Sequence, residues 1–125
     1  MKVHIIGGGN LGASIAIGIA KFTEGNQVTV TRRNTASILH LEQLGITVAT
    51  DNKQNIQDAD IIILTIKPYQ VDTVLAEILP VIANKTIASA VSGLSIENLQ
   101  NKIGTNHQAV RIMPNIAAQF GASAT

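Results

Sequence analysis

The 125-residue sequence contains no cysteine and no tryptophan, and its only aromatic residues are Phe22, Tyr69 and Phe120. The absence of cysteine excludes a disulfide framework, a cysteine-ligated zinc cluster and a thiol nucleophile. Because aromatic residues make up only 2% of the chain, its core has to be built from aliphatic side chains. Apolar residues reach 46% in total, which is enough for one domain with a hydrophobic core.

An excess of charge of one sign and a long apolar run are also missing. Nine Lys and Arg residues nearly balance eight Asp and Glu residues, so the formal net charge is +1. This balance gives no reason to expect nucleic acid or an anionic membrane as a partner. The longest apolar run, residues 61–66, is too short to span a bilayer, and Met1 and Lys2 lead into a strand rather than a signal sequence. We therefore expect a cytoplasmic protein.

Short apolar runs typical of β-strands recur along the chain. The predicted strands are Val3–Ile6, Val28–Thr31, Ile46–Ala49, Asp60–Ile66, Thr86–Ala90 and Ala109–Met113. Helical patterns lie between most of them, and this alternation predicts right-handed crossovers and a parallel sheet. The unbroken β-branched run that begins at Ile61 predicts a central strand, because such a run has to be covered on both faces.

Residues at helical spacing predict four helices. Their apolar stripes are Leu11-Ile15-Gly18-Ile19-Phe22, Ile38-Leu41-Leu44, Val71-Val74-Leu75-Ile78-Leu79 and Ile96-Leu99-Ile103. Asn34 and Ser95 are the predicted N-caps of the second and fourth helices, and Gly45 is the predicted stop of the second. Pro68 suits the first turn of the third helix, and Pro80 is expected to end it.

The most informative motif is a glycine-rich turn directly after the first strand. The sequence there is Ile6-Gly7-Gly8-Gly9-Asn10-Leu11-Gly12, which contains the pattern Gly-x-Gly-x-x-Gly. A strand, this turn and a helix together form the fingerprint of a dinucleotide site. The expected fold is therefore a Rossmann-type α/β domain, with a doubly wound, mainly parallel sheet and helices on both faces.

Each glycine of the pattern has a physical reason. Gly7 would allow the tight turn out of the strand, and Gly9 would let the backbone approach a pyrophosphate without a side chain between them. Gly12 would let the helix lie close to the sheet. Gly8 is not required by the pattern and is interpreted as a small residue at a crowded turn. The exposed amides at the start of the helix would favour the phosphate charge.

The end of the second strand indicates which dinucleotide binds. The sequence there is Thr31-Arg32-Arg33-Asn34, without the Asp or Glu that an NAD site usually places on the ribose. Two guanidinium groups can instead bind a 2′-phosphate through forked, charge-assisted hydrogen bonds. We therefore predict that NADP(H) is preferred over NAD(H); two solvated arginines at a strand end are the alternative.

Ligands of an open parallel sheet bind beyond the carboxyl ends of its strands. That rule directs attention to Lys67, Ser92 and Asn115, each of which follows a predicted strand. Lys67 would contact a phosphate, the ribose or the substrate, or else be an exposed lysine before a proline. Ser92 and Asn115 have the same two interpretations, as ligand contacts or as ordinary loop residues.

No general acid or base is evident, so the catalytic residue is left unassigned. The three histidines, His4, His40 and His107, are interpreted as structural or solvated. The carboxylates are scattered without a pair at metal-ligand spacing, so no metal site is predicted. This pattern fits a nicotinamide enzyme, because the cofactor carries the chemistry and the protein mainly orients it.

Taken together, these residues resemble the N-terminal half of the pyrroline-5-carboxylate reductase family, the NADPH-dependent enzymes of the last step of proline synthesis. The resemblance covers essentially all 125 residues. The motifs that carry it are Ile6-Gly7-Gly8-Gly9-Asn10-Leu11-Gly12, Ile66-Lys67-Pro68, Ser92-Gly93-Leu94-Ser95-Ile96 and Arg111-Ile112-Met113-Pro114-Asn115. The glycine turn is generic, whereas the other three motifs, in this order and spacing, are more specific.

The resemblance implies a set of cofactor contacts. The pyrophosphate would lie against the residues from Ile6 through Leu11, the 2′-phosphate at Arg32, and the adenosine near Asn52. The ribose and nicotinamide would be lined by the four residues Thr65, Ile66, Lys67 and Pro68, and the pocket completed by Ala90, Val91 and Ser92.

The resemblance also implies a second half that this sequence does not contain. Family members carry a helical C-terminal domain that forms the dimer and much of the substrate site. We therefore expect residues 1–125 to be the NAD(P)-binding domain of a longer protein that forms a homodimer or larger assembly and reduces a small-molecule imine. The sequence departs from the family at Val91-Ser92-Gly93 and Ile116-Ala117. Two alternatives therefore stay open: a related NADP-dependent oxidoreductase of the deazaflavin-dependent or β-hydroxyacid dehydrogenase type, and a non-catalytic NADP(H)-binding module.

Overall fold

A computed structural model of the chain describes residues 1–22 and 27–113. The strands in these ranges are β1 (Lys2–Ile6), β2 (Gln27–Thr31), β3 (Thr47–Ala49), β4 (Ile61–Leu64), β5 (Thr86–Ser89) and β6 (Gln108–Arg111). The α-helices are α1 (Asn10–Phe22), α2 (Val71–Ile78) and α3 (Ile96–Ile103), with short 3₁₀ helices at Leu39–Leu44, Ile56–Asp58, Pro68–Gln70 and Leu79–Val81. None of the helices described here has both the length and the apolar character needed to cross a bilayer.

The six strands form one sheet in the order β3-β2-β1-β4-β5-β6, and every neighbouring pair is parallel. This is the order of a doubly wound dinucleotide-binding sheet, in which the direction of winding reverses between β1 and β4. The prediction of a central strand at Ile61 is confirmed, because β4 lies between β1 and β5. Ile6 is in register with Thr31 on one side and with Leu64 on the other, so the carboxyl ends of β2, β1 and β4 lie side by side.

Two apolar clusters cover the two faces of the sheet. Successive residues of β4 belong to different clusters, as the period of two in a strand requires. Ile63 packs on the face covered by α1 and by the 3₁₀ helix at Leu39–Leu44. Ile62 and Leu64 pack on the face covered by α2 and α3. The prediction of helices on both faces is therefore confirmed.

The second predicted helix is wrong in type and in its N-cap. Leu39–Leu44 is a 3₁₀ helix, its N-cap is Ile38, and no side chain caps it. The Oδ1 atom of Asn34 instead accepts a hydrogen bond from the amide of Ala36, a local turn that keeps this side chain away from the helix start. Gly45 ends the segment with φ 80°, as predicted.

The fourth predicted helix is confirmed except for one core residue. The Ser95 side chain caps α3 by accepting a hydrogen bond from the amide of Asn98 at 3.0 Å. Leu99 and Ile103 are buried, as predicted, but Ile96 is 51% exposed. Helical side chains lean towards the N-terminus, so a side chain in the first turn extends past the start of the helix.

Candidate functional site

An open cavity of about 450 Å³ lies beyond the carboxyl ends of β2, β1 and β4. It is lined by the predicted site residues Ile6, Gly7, Gly8, Gly9, Arg32, Arg33, Asn34, Asn52, Thr65, Ile66 and Lys67. Thr31 and Gln70 line it as well, and sequence reasoning did not name either as a site residue. The position is the one at which an open parallel sheet binds its ligand, at the point where the winding reverses.

The turn between β1 and α1 is held by the end of β2. The amides of Gly7 and Gly8 both donate to the carbonyl oxygen of Thr31, at 3.0 and 2.9 Å. Gly7 has φ +102°, and a Cβ atom there would lie 2.7 Å from the carbonyl oxygen of Thr65. The tight turn predicted at Gly7 is therefore confirmed. Since the Gly7 and Gly8 amides serve the fold, the amides left for an anion are those of the first turn of α1, which have no partner within the helix.

Gly12 is the point where α1 lies against this turn. A Cβ atom at Gly12 would collide with the carbonyl oxygen of Gly7 and would lie 2.7 Å from Oγ1 of Thr65. The Thr65 hydroxyl itself donates to the Gly7 carbonyl at 2.6 Å. The prediction that Gly12 allows the helix to lie close is confirmed, and the contact also includes the loop after β4.

Gly8 and Gly9 have opposite surroundings. A Cβ atom on Gly8 would lie 2.8 Å from Cδ1 of Ile38 and 2.9 Å from Cγ1 of Val30, so the interpretation of a crowded position is confirmed. A Cβ atom on Gly9 would meet no atom within 4 Å. Gly9 therefore borders free space at the start of α1, and a side chain at this position would extend into that space.

The lining of the cavity carries positive charge. Arg32, Arg33 and Lys67 are among the lining residues, which include no Asp or Glu. Arg33 and Lys67 are exposed, whereas Arg32 is half-buried. Nη1 of Arg32 donates to Oγ of Ser37 at 2.5 Å and lies 3.4 Å from the carbonyl oxygen of Gly8. Ser37 holds this guanidinium at the edge of the cavity, although no motif in the sequence marks it.

Asn52 is attached to the sheet by two hydrogen bonds. The hydroxyl of Thr31 donates to its Oδ1 at 2.6 Å, and Nε2 of His4 donates to its backbone carbonyl at 2.8 Å. The Nδ2 group of Asn52 lies 3.4 Å from a carboxylate oxygen of Glu77. These contacts place the amide group of Asn52 in the wall of the cavity.

His4 is a buried histidine beneath this wall, with 1% of its surface exposed. Burial lowers the pKa of His4 below its ordinary value of 6.5, while the hydrogen bond to Asn52 acts in the opposite direction. The ring is therefore neutral at pH 7. Because a carbonyl can only accept, the proton is on Nε2, and Nδ1 has no hydrogen-bond partner among the described residues. The interpretation of His4 as a structural residue agrees with this burial.

Several predicted site residues lie outside the cavity at the ends of β2, β1 and β4. Asn10 lines an adjacent cavity together with Arg32 and Ser37. Leu11 packs against the apolar cluster beneath α1, and Gly12 is buried.

The loop after β5 borders a different cavity, between α2 and α3. Val91 and Ser92 line it with Pro68. The amide of Ala90 donates to the carbonyl of Leu64, and Val91 is buried in the core. Pro114 and Asn115, and the departure at Ile116-Ala117, lie outside the described residues.

The strand order, the glycine turn at the reversal of winding and the cationic lining define a Rossmann-type nucleotide-binding domain. Residues 2–93 match the family model described as "NADP oxidoreductase coenzyme F420-dependent". The chain belongs to this family, and the binding of a nucleotide cofactor is therefore supported by both fold and family.

Known proteins similar to the chain confirm the resemblance found in the sequence. The chain is 37% identical to pyrroline-5-carboxylate reductase 1 of Dictyostelium discoideum, over 98% of the chain and 23% of that protein. It is 33% identical to the pyrroline-5-carboxylate reductase of Staphylococcus haemolyticus, over 100% of the chain and 48% of that protein. The crystal structure of Plasmodium falciparum pyrroline carboxylate reductase with NADP bound has the same fold, with a TM-score of 0.82 at 24% identity, over 98% of the chain and 45% of that structure. The chain thus spans about half the length of two of these relatives and about a quarter of the other.

Proposed function

We propose that this chain is the NADP(H)-binding domain of a pyrroline-5-carboxylate reductase, an enzyme that reduces a small cyclic imine to proline. The observation that carries the proposal is the glycine turn with its cationic cavity at the carboxyl ends of β2, β1 and β4. The names of the similar proteins support the substrate, and their greater length supports a further part of the enzyme. The resemblance to the family implies that this part is helical and completes the substrate site and the homodimer.

The cavity fits a dinucleotide in shape and in charge. The free space beside Gly9 and the amides of the first turn of α1 suit a pyrophosphate, and Lys67 and Arg33 supply positive charge around it. Bound there, the nicotinamide supplies the hydride for reduction. The chain's own task is to bind and orient it. The residues of the proposed site that line the cavity are Ile6, Gly7, Gly8, Gly9, Arg32, Arg33, Asn34, Asn52, Thr65, Ile66 and Lys67, and those that lie around it are Asn10, Leu11, Gly12, Pro68, Ala90, Val91 and Ser92.

NADP(H) is the preferred form of the cofactor in this proposal. Arg32 is held at the end of β2 by Ser37, so its guanidinium is already oriented before a ligand arrives. An oriented guanidinium loses less side-chain entropy when it binds a phosphate. A carboxylate, which would repel a 2′-phosphate, is absent from the residues that line the cavity.

A calorimetric titration with NADPH and NADH tests this preference. We expect Arg32→Ala to weaken NADPH binding by roughly 10- to 100-fold, the value of a hydrogen bond to a charged group, and NADH binding by less than about 3-fold. Lys2→Ala is the matched control, because it removes a positive charge at the opposite end of β1. An equal loss for both nucleotides would contradict the assignment of Arg32 to the 2′-phosphate, and no binding of either by the parent chain would contradict the proposed function.

The oxidation of NADPH in the presence of pyrroline-5-carboxylate tests the substrate. The residues that line the cavity include no His, Asp or Glu, and the 125 residues span 48% of the length of the Staphylococcus haemolyticus relative. We expect turnover by the 125-residue chain at least about 100-fold slower than that of the full-length Staphylococcus haemolyticus relative, because positioning of the two reactants is lost. Turnover comparable with that relative would mean that these residues already contain a complete substrate site.

The family match favours a second candidate, in which the NADP(H) domain serves an enzyme that uses a deazaflavin instead of an imine. The same assay with oxidised coenzyme F420 in place of the imine distinguishes the two. Slow but measurable oxidation of NADPH by the deazaflavin alone would favour this second candidate.

A further inference from the structure

We propose that His4 is a positioning residue for the nucleotide site: it holds the turn after β3 so that the side chain of Asn52 faces the adenosine end of the cofactor. The inference rests on the proposed NADP(H) binding. It assigns a role to a buried side chain that no part of the proposed site otherwise uses.

The contact joins two distant parts of the chain. His4 lies in the middle of β1, and Asn52 lies 48 positions later in an exposed turn. This turn is attached to the sheet by side chains of β1 and β2: His4 to the carbonyl of Asn52, Thr31 to Oδ1 of Asn52, and Thr29 to Nδ2 of Asn55 at 3.5 Å. His4 and Thr31 therefore hold the backbone and the side chain of Asn52 from below.

The energetics of His4 favour a specific role over simple packing. On the same face of the sheet, its neighbours Ile6 and Ile62 are apolar and belong to the core, and its neighbour on β2, Thr29, is polar. A buried ring nitrogen without a partner is unfavourable, because it has lost its hydrogen bonds to water, and Nδ1 has gained none from the residues that the structure describes. An apolar side chain would avoid this cost. The interaction that compensates for it is the hydrogen bond from the other ring nitrogen to the carbonyl of Asn52.

The hydrogen-bonding groups of the Asn52 side chain determine which atoms of the cofactor it can contact. Oδ1 already accepts from Thr31, and Nδ2 lies 3.4 Å from a carboxylate oxygen of Glu77, so the group that remains is the second N–H donor of Nδ2. A donor in this wall suits an acceptor of the adenosine, either a ribose oxygen or an adenine ring nitrogen. The carbonyl oxygen of Thr31 also accepts hydrogen bonds from the amides of Gly7 and Gly8. Thr31 therefore connects Asn52 with the glycine turn.

The test is a calorimetric titration of variants of the chain with NADPH, at a temperature well below the melting point of each variant. We expect His4→Leu to weaken binding roughly 5- to 20-fold, the loss expected when one hydrogen bond is no longer in place. His4→Gln, whose amide can donate to the same carbonyl, is expected to bind within about 3-fold of the parent. If His4→Leu does not fold, His4→Asn takes its place, because its shorter amide does not reach Asn52.

A double-mutant cycle separates positioning from general stability. If His4 acts through Asn52, then in an Asn52→Ala background His4→Leu should change the affinity by less than about 2-fold. Ile62→Val is the matched control, because it loosens the core on the same face without contacting Asn52. It is expected to lower the melting temperature and leave the affinity unchanged.

The outcomes separate this inference from the proposed function. Unchanged affinity in His4→Leu, or losses that add fully to those of Asn52→Ala, would overturn the role of His4 and leave NADP(H) binding intact. A parent chain that binds no nucleotide would overturn the proposed function and this role together. Coupled losses with rescue by His4→Gln would establish the role.

Discussion

Replacing Gly9 with valine is expected to abolish nucleotide binding while the fold stays in place. A Cβ atom at Gly9 would meet no atom within 4 Å apart from its chain neighbours, so a side chain there extends into the free space beside α1. The proposed pyrophosphate needs that space in order to reach the amides of the first helical turn. We expect the affinity for NADPH to fall at least about 100-fold, equivalent to about 2.7 kcal/mol, as measured by calorimetry.

Two controls separate a blocked site from a damaged fold. Gly9 precedes α1 and its carbonyl accepts the first helical hydrogen bond, from the amide of Ala13 at 2.9 Å. Because Asp is a favourable N-cap, Gly9→Asp is expected to keep or raise the melting temperature and still lose binding, since its carboxylate repels the phosphates. Ala76→Val adds bulk on an exposed part of α2 and should bind normally. Normal affinity in Gly9→Val would mean that the nucleotide lies elsewhere.

Gly12→Ala is expected to have the largest effect on stability. The added methyl group would collide with the backbone carbonyl of Gly7, and it would also meet the Thr65 hydroxyl that donates to this carbonyl. A backbone atom cannot rotate away as the end of a side chain can, so α1 has to move off the sheet. Overpacking of this kind costs about 1–3 kcal/mol, and we expect the melting temperature to fall by roughly 5–15 °C.

The matched control for this prediction is Gly9→Ala, the same substitution three residues earlier. No atom lies within 4 Å of the added methyl group. Gly9→Ala should therefore lower the free energy of unfolding by less than about 1 kcal/mol, which is the effect of a poorer N-cap. Thermal unfolding followed by circular dichroism measures both variants. A melting temperature for Gly12→Ala equal to that of Gly9→Ala would show that α1 does not lie as close to the turn as the structure places it.

The strands and the glycine turn were predictable because the sequence signals for them are local. The predicted strands all appear in the sheet, and the bounds of each lie within two residues of those expected. A strand of a parallel sheet is covered on both faces and therefore reads as a continuous apolar run, as at Ile61–Leu64. Gly7 and Gly12 were assigned correctly because a sharp turn and a close helix each exclude a side chain at a defined offset.

The segment between β2 and β3 was harder to predict because competing local contacts decide its form. The spacing of Ile38, Leu41 and Leu44 fits an α-helix as well as a 3₁₀ helix, since both repeats bring residues three apart near each other. The sequence predicts a cap at Asn34, but the side chain of Asn34 accepts a hydrogen bond from the amide two residues on. Periodicity alone does not distinguish these possibilities.

The sequence by itself determined the fold class, the order of strands and helices along the chain, the position of the glycine turn and the cationic end of β2. Each of these depends on residues that are close together along the chain. Only the tertiary structure decided that Ser37 holds Arg32, that Thr31 joins the glycine turn to Asn52, and that His4 supports Asn52 from the middle of β1. No sequence motif marks these pairs. Thr31 meets the glycine turn and Asn52 only because parallel strands far apart in sequence end at the same edge of the sheet.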